Sequence, residues 1–430
     1  MAVATSVQQT GSAAPSARAG YRITSIDIVR GIVMVLMAID HVRVFSGVPA
    51  GGPTPGVFFT RWVTHFVAPA FVFLAGTAAF LHGTRLAQRS QLARFLFLRG
   101  LWLVLLEMTV IRLAWTFNFD VGNYLLAGVI WVIGWCMMLM AGLVFLPAAA
   151  IGIFGVAVIV LHNLLPAPGP WLGQSSLPWL LQLLYYGGPI QLGQNGPQLA
   201  VLYTVVPWIG VMAAGLGLGA LLQRPARERR TLCLRLGAVL FASFLLLRAF
   251  DAYGEPRKWR PAPPTAQVNA GAPNAPPAGA PAPAARRPSM PRPLAFLNTS
   301  KYPASLQFLL MTLGPMVLAL GLLEGRVTSA GSSASVLAVF GRVPLFYYLL
   351  HIPAIHGAAL VVSLVRSGRL EPWLFDNHPM MVPPAPDGYT WSLPLLYLVT
   401  VMVVALLYFP CRWFASLKER RRDLGSLSYF

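Results

Sequence analysis

Apolar runs of membrane-spanning length recur along the whole chain, and this repetition limits the fold more than any other feature. They fall at about 26–45, 58–82, 95–116, 124–146, 148–165, 200–222, 232–250, 305–324, 343–365 and 393–414. In lipid such a segment has to satisfy its own backbone hydrogen bonds, and an α-helix does this internally. The expected fold class is all-α: a polytopic membrane protein of about ten transmembrane helices with a disordered Pro/Ala-rich loop. Pro147 divides one long run and Pro353 interrupts another. With 56% hydrophobic and only 10% charged residues, the composition excludes an ordinary soluble domain.

The net charge is +19. In a soluble chain that would point to nucleic acid. Here Lys and Arg cluster in short loops between apolar runs, and no motif that reads RNA or DNA accompanies them. With the N-terminus in the cytoplasm, the inward segments hold Arg18, Arg22 and Arg30, then Arg85, Arg89, Arg94 and Arg99, then Arg224, Arg227, Arg229, Arg230 and Arg235, then Arg326 and Arg342, and finally Arg412, Lys418 and Arg420 to Arg422. The short outward segments hold Arg43, Arg61, Arg112, Arg248, Arg366 and Arg369, and 166–198 holds no Lys or Arg. This bias places both termini on the cytoplasmic side. Residues 255–303 are basic but long, and long loops translocate largely regardless of charge.

The chain divides into an Ala/Ser/Gln-rich tail (1–20) without the apolar core of a cleavable signal, helices one to seven (21–254), a Pro/Ala-rich spacer expected to be disordered (255–293), helices eight to ten (294–415) and a basic tail (416–430). Cys136, Cys233 and Cys411 each sit in an apolar run, so neither a disulfide nor a thiolate metal site is expected. Gly215, Gly217 and Gly219 lie in an apolar helix and read as packing positions, not as a nucleotide loop.

Polar groups at membrane depth are costly, so they mark the bundle interior. The first run is bracketed by them: Asp27 and Arg30 at its start, Asp40, His41 and Arg43 near its end. Arg30 and His41 are eleven residues apart, so on a helix they share nearly one face, ~16 Å apart along the axis. His65, Glu107, Arg112, His351 and His356 are the further candidates, with Asn118 and Asp120 just beyond the third run. Glu107 and Arg112 read equally as a structural ion pair, and His65 as bonded to a carbonyl near Pro69. A carboxylate beside His41 would orient a basic imidazole. Asp40 is ~100° round the helix from it, so an acid from another helix is the alternative. No two histidines have the i, i+4 spacing of helical metal ligands, and a His-rich metal site is not expected.

Four stretches, in order, resemble a known family. They are Arg22-Ile-Thr-Ser-Ile-Asp27-Ile-Val-Arg30-Gly31 with Met37-Ala-Ile-Asp40-His41; Ala68-Pro-Ala-Phe-Val-Phe-Leu-Ala-Gly76; Leu297-Asn-Thr-Ser-Lys301-Tyr302-Pro303 with Leu313-Gly-Pro315; and Phe340-Gly-Arg342-Val-Pro344 through His351. Together they resemble the bacterial DUF1624 family, related to the catalytic domain of lysosomal heparan-α-glucosaminide N-acetyltransferase within the transmembrane acyltransferases. The resemblance implies an enzyme that moves an acetyl or similar group from cytosolic acetyl-CoA or another acyl-CoA to a sugar or glycan acceptor across the membrane. It implies His41, with Asp40, as catalytic and Arg30 as donor-binding. The animal enzyme resembles this chain but has Asn in place of His41 and its histidine further along, which brings in His65. No permanently bound cofactor or metal is expected. Expected partners are the lipid bilayer, acyl-CoA and the acceptor, with a homodimer as the oligomer to test for and no nucleic acid. Buried ionisable groups and Pro-broken helices also fit a proton-coupled small-molecule transporter, which an inverted repeat would favour; none is visible in the sequence.

Overall fold

The first long run forms helix α1, Thr24–Ser46, which stops at Gly47, where a φ of 72° needs the left-handed backbone that glycine adopts without strain. Helix α2, Pro55–Gly83, includes a 3₁₀ turn at Val63–Phe66. Helix α3, Arg89–Leu106, runs through a π turn at Glu107–Ile111 into α4, Arg112–Thr116. Then come α5 (Val129–Leu143), α6 (Ala148–Leu161), α7 (Val205–Leu221) and α8 (Ala226–Ala249). The remainder is α9 (Arg292–Leu297), α10 (Leu306–Leu323), α11 (Ser333–Arg342), α12 (Pro344–Ser367), α13 (Trp373–Asp376) and α14 (Leu393–Arg420). The computed structural model describes residues 23–52, 54–120, 122, 124–165, 178–260, 290–325, 333–376 and 384–421. The N-terminal tail, 166–177 of the outward loop, 261–289 of the Pro/Ala-rich spacer and 422–430 of the basic tail lie outside the described residues.

Three short strands depart from the all-α expectation. β1 (Tyr124–Ala127) pairs in parallel with β3 (Gln198–Val201), and β2 (Gly188–Gln191) pairs antiparallel on the other side of β3. The apolar runs at 124–146 and 200–222 therefore each open as a strand. Apolar composition alone does not separate a short buried strand from the first turn of a helix. No apolar run marks α11, whose ten residues are too few to span a membrane. Pro344 starts a new helix there, since the residue before a proline is pushed out of helical geometry. Pro353, by contrast, is accommodated within α12.

Helices pack where side chains are absent. A Cβ on Gly31 would run into the Leu337 carbonyl, and one on Gly341 into that of Asp27, so α1 and α11 cross backbone to backbone. Gly215, Gly217 and Gly219 meet Phe73, Gly152 and Phe80, which is the packing role read from the sequence. Cys136, Cys233 and Cys411 are free and buried.

Five described helices are long and apolar enough to cross a membrane: Pro55–Gly83, Ala226–Ala249, Leu306–Leu323, Pro344–Ser367 and Leu393–Arg420. Val129–Leu143, Ala148–Leu164 and Val205–Leu221 are apolar but shorter. α1 and α3 have the length but carry more charge. The outer faces are apolar: Val401, Met402, Leu406, Phe409 and Trp413 of α14 and Ile153 and Val156 of α6 stand exposed. Glu107, Arg112, Arg248, His351 and His356 are buried instead. Apolar side chains outside and ionisable ones inside is the distribution lipid selects.

Candidate functional site

Helix α1 borders two cavities. His41 lines one of about 360 Å³. Arg30 lines another of about 270 Å³. Val129 and Tyr348 line both, so the two abut through a shared wall. The eleven-residue spacing thus puts Arg30 and His41 on one interior face of α1, each at its own chamber.

In the first cavity the surroundings of His41 differ from expectation. Its Nδ1 lies 2.6 Å from Nε2 of His351, and His351 Nδ1 lies 2.7 Å from the Tyr348 carbonyl. Trp115 meets the His41 ring edge-on at 4.9 Å. Asp40 does not orient His41. Its two carboxylate oxygens take Arg43 Nε at 3.1 Å and Arg61 Nη1 at 3.0 Å. The turn between adjacent helix residues sends the carboxylate toward α2, and the partner of His41 is a histidine from α12 instead of an acid.

His65, in the 3₁₀ turn of α2, lines the same cavity and is 8% exposed. It does not bond a carbonyl near Pro69. Its Nδ1 is buried without a hydrogen-bond partner among the described residues, and its ring meets Phe308 at 5.5 Å. Glu107 and Arg112 do not pair either. Glu107 sits in the π turn, where its Oε2 accepts from the backbone N–H groups of Ile130 (3.1 Å) and Trp131 (3.2 Å) at the start of α5. Its Oε1 is buried, faces Gly128 and has no partner among the described residues. Arg112 turns to the following loop, donating to Thr116 and Asn118 and to the Asp120 carbonyl. His356 lines neither cavity; it stacks on Phe45 and Phe117 and its Nδ1 meets the Ala114 carbonyl.

Residues distant in sequence complete the chamber. Lys301 is 5% exposed and its Nζ lies 5.3 Å from the Tyr302 ring and 5.9 Å from that of Tyr203. Burial and the nearby Arg61 guanidinium hold the Lys301 ammonium below the usual lysine range. The loop that carries it is braced by Glu255, whose carboxylate accepts from Ser300 N (2.9 Å), Ser300 Oγ (2.6 Å) and Ser305 Oγ (2.7 Å). The Ser305 hydroxyl oxygen in turn caps α10 by accepting from Phe308 N at 3.0 Å. Glu255 to Arg260 were expected in the spacer, yet Glu255 is buried and Trp259 packs on Phe296. Tyr203 follows β3, where Leu202 N and Tyr203 N both donate to the Ala127 carbonyl. Arg61, Tyr203, Lys301 and Tyr302 were not read as site residues from the sequence. Lys301-Tyr302 did stand inside one of the four family-like stretches, which was the available signal.

The second cavity is apolar along its walls, with Met34, Phe71, Leu96, Ile133 and Met137, and basic at Arg30, Arg99, Arg342 and Lys418. Arg30 Nη2 donates to the Leu74 carbonyl at 3.0 Å. All four family-like stretches supply lining residues to these two cavities or, in His351, the partner of His41. Among the described residues no group of His, Cys, Asp and Glu is arranged to hold a metal ion.

No curated protein matches the chain. A family model described as heparan-alpha-glucosaminide N-acetyltransferase, catalytic, matches residues 22–247, more than half of the 430 residues. The matched span holds Arg30, Asp40, His41, His65 and Glu107. With its run of apolar helices, the chain is a multi-pass membrane protein that belongs to the family of heparan-alpha-glucosaminide N-acetyltransferase catalytic domains.

Proposed function

We propose that this protein is a membrane acyltransferase that takes an acetyl or similar acyl group from cytosolic acyl-CoA and transfers it to a carbohydrate-type acceptor on the far side of a bacterial inner membrane. The observation that carries this reading is the pair of abutting cavities on one helix. A long donor with a charged end suits the largely apolar cavity lined also by Arg30, Arg99, Arg342 and Lys418, and a small polar acceptor suits the chamber around His41. The ~16 Å between Arg30 and His41 along α1 is about the reach of a pantetheine arm. In this reading Arg30 meets the pantetheine or phosphate part of the donor, beside Arg99, Arg342 and Lys418.

His41 is the general base, on the ring nitrogen that His351 does not occupy. It removes the proton as the acceptor hydroxyl or amine attacks the thioester carbonyl. The new C–O or C–N bond forms, the C–S bond breaks, and the proton passes from His41 to the departing thiolate. Glu107 Oε1 and His65 Nδ1, both buried on the same cavity and without a partner among the described residues, would receive the acceptor's polar groups. Asp40 acts through Arg43 and Arg61, which it holds against the chamber.

Ten spans follow if the five long helices, the three shorter apolar ones and the charged α1 and α3 all cross. Both termini then share one side, which the Lys and Arg bias makes the cytoplasm. The test of activity is release of free CoA from acetyl-CoA by the purified protein with glucosamine-type sugars as acceptors. Absence of sugar-dependent release across that acceptor set would overturn the reading. Orientation is tested by cysteine labelling from outside, which should modify Asn195→Cys and spare Arg227→Cys; the reverse pattern inverts the topology.

A further inference from the structure

The contact between His41 and His351 fixes more than proximity. The Tyr348 carbonyl can only accept, so the His351 Nδ1 that approaches it at 2.7 Å carries a hydrogen. A neutral His351 then has its lone pair on Nε2. That lone pair faces His41 Nδ1 at 2.6 Å, so Nδ1 of a neutral His41 carries the hydrogen between them. The lone pair of His41 is left on Nε2, the nitrogen without a partner among the described residues, on a ring that lines the first cavity. The direction of the chain is set by a backbone atom inside α12 and cannot be reversed by rotating either ring.

His351 is held for this task. It is fully buried, its ring stacks on Tyr347 at 5.4 Å, and it meets His41 edge to edge through the nitrogen contact, with 26° between the ring planes. No carboxylate takes its place, because Asp40 is committed to Arg43 and Arg61.

We infer that His351 is a positioning residue that locks His41 in the Nδ1–H tautomer, so that Nε2 is the nitrogen presented to the acceptor. This rests on the reading of His41 as the base. When Nε2 takes the acceptor's proton, the Nδ1–H bond to His351 becomes charge-assisted and strengthens. His351 takes no proton and touches neither substrate. It does for His41 what an orienting carboxylate does in a hydrolase triad, with a neutral acceptor in place of a charged one.

Two substitutions separate this from a packing role. In His351→Gln the side-chain carbonyl can accept from His41 Nδ1–H while its amide N–H donates to Tyr348. His351→Phe keeps a stacked ring but offers no acceptor. The first readout is the tautomer of His41 by nitrogen-15 NMR of the full-length, detergent-solubilised protein, with the His41 signals identified by their loss in His41→Ala. Wild type and His351→Gln should show protonated Nδ1 and unprotonated Nε2, whereas His351→Phe should show mixed tautomers. The second readout is CoA release. His351→Phe should lower kcat about 10–100-fold with an unchanged KM for acetyl-CoA, the usual scale for losing a partner that orients a working histidine. His351→Gln should stay within a few-fold of wild type. Protonated Nε2 in wild type, or an unchanged His41 tautomer in His351→Phe, overturns the inference. If the tautomers come out as stated and no protein releases CoA, the positioning stands and the acyltransferase reading fails. If wild type turns over and His351→Phe matches it, the reading stands and the positioning role fails.

Discussion

The two cavities share a helix and a wall yet are built from opposite materials. The chamber at His41 gathers six ionisable side chains from α1, α2 and the Glu107 turn, with Lys301 and two tyrosines from loops. The chamber at Arg30 is walled by Met, Phe, Leu and Ile, with its cations set at Arg30, Arg99, Arg342 and Lys418. In low dielectric a charge has to be paired, hydrogen-bonded or matched by a ligand. The first chamber meets that condition by networks such as Arg43–Asp40–Arg61, and leaves Glu107 Oε1 and His65 Nδ1 open. The second avoids the difficulty by keeping its interior apolar. On the proposed reading, the first acts on polar groups and the second holds a chain by its length and its charged end.

The largest effect that would test this division is at His41. His41→Ala should lower turnover about 10²–10⁴-fold, as loss of a general base does, while the KM for acetyl-CoA stays unchanged. Full turnover in that variant would break the assignment. If His65→Ala is then the inactive variant, the base belongs to α2.

Glu107 offers a finer cut within the first chamber. In Glu107→Gln the carbonyl oxygen can still accept from Ile130 N and Trp131 N, while an amide donor replaces the free acceptor oxygen. The KM for the sugar acceptor should rise about tenfold with little change in melting temperature. Glu107→Ala should add a loss of about 1–3 kcal/mol of stability, because two buried N–H groups lose their acceptor. An unchanged acceptor KM in Glu107→Gln removes the residue from the binding site.

Arg30→Ala should act on the other chamber. We expect a several-fold higher KM for acetyl-CoA, a kcat near wild type and a stability loss of about 1 kcal/mol from the lost bond to Leu74. A kcat effect as large as that of His41→Ala would show that the chambers do not divide the work.

The smallest effect on either KM should come from a buried pair outside both cavities. Glu324 pairs with Arg229 and accepts from Ser25 Oγ at 2.8 Å. Glu324→Ala should cost about 3–5 kcal/mol by removing the carboxylate that faces the buried Arg229 guanidinium, read as a lower melting temperature, and leave both KM values unchanged.

Much of this was legible in the sequence. The long helices stood out because lipid admits only segments that satisfy their own backbone, so a spanning helix announces itself as an apolar run, whereas the ten-residue α11 did not. The placement of Arg30 and His41 on one interior face followed from helical rotation alone. The short strands did not stand out, because β1 and β3 continue in composition into the helices behind them. The Glu107–Arg112 alternative failed because a π turn and the start of α5 redirected the carboxylate.

What the sequence determined by itself is local: the long helices, the packing glycines Gly215, Gly217 and Gly219 and the polar face of α1, set by periodicity and the cost of charge in hydrocarbon. What the tertiary structure decided is partnership. His41 is bonded to a residue 310 positions away, Asp40 is drawn off by Arg61 on the next helix, and Lys301 reaches the chamber on a loop braced by Glu255. Such pairings depend on which helix faces come together, and no periodicity within one segment carries that information.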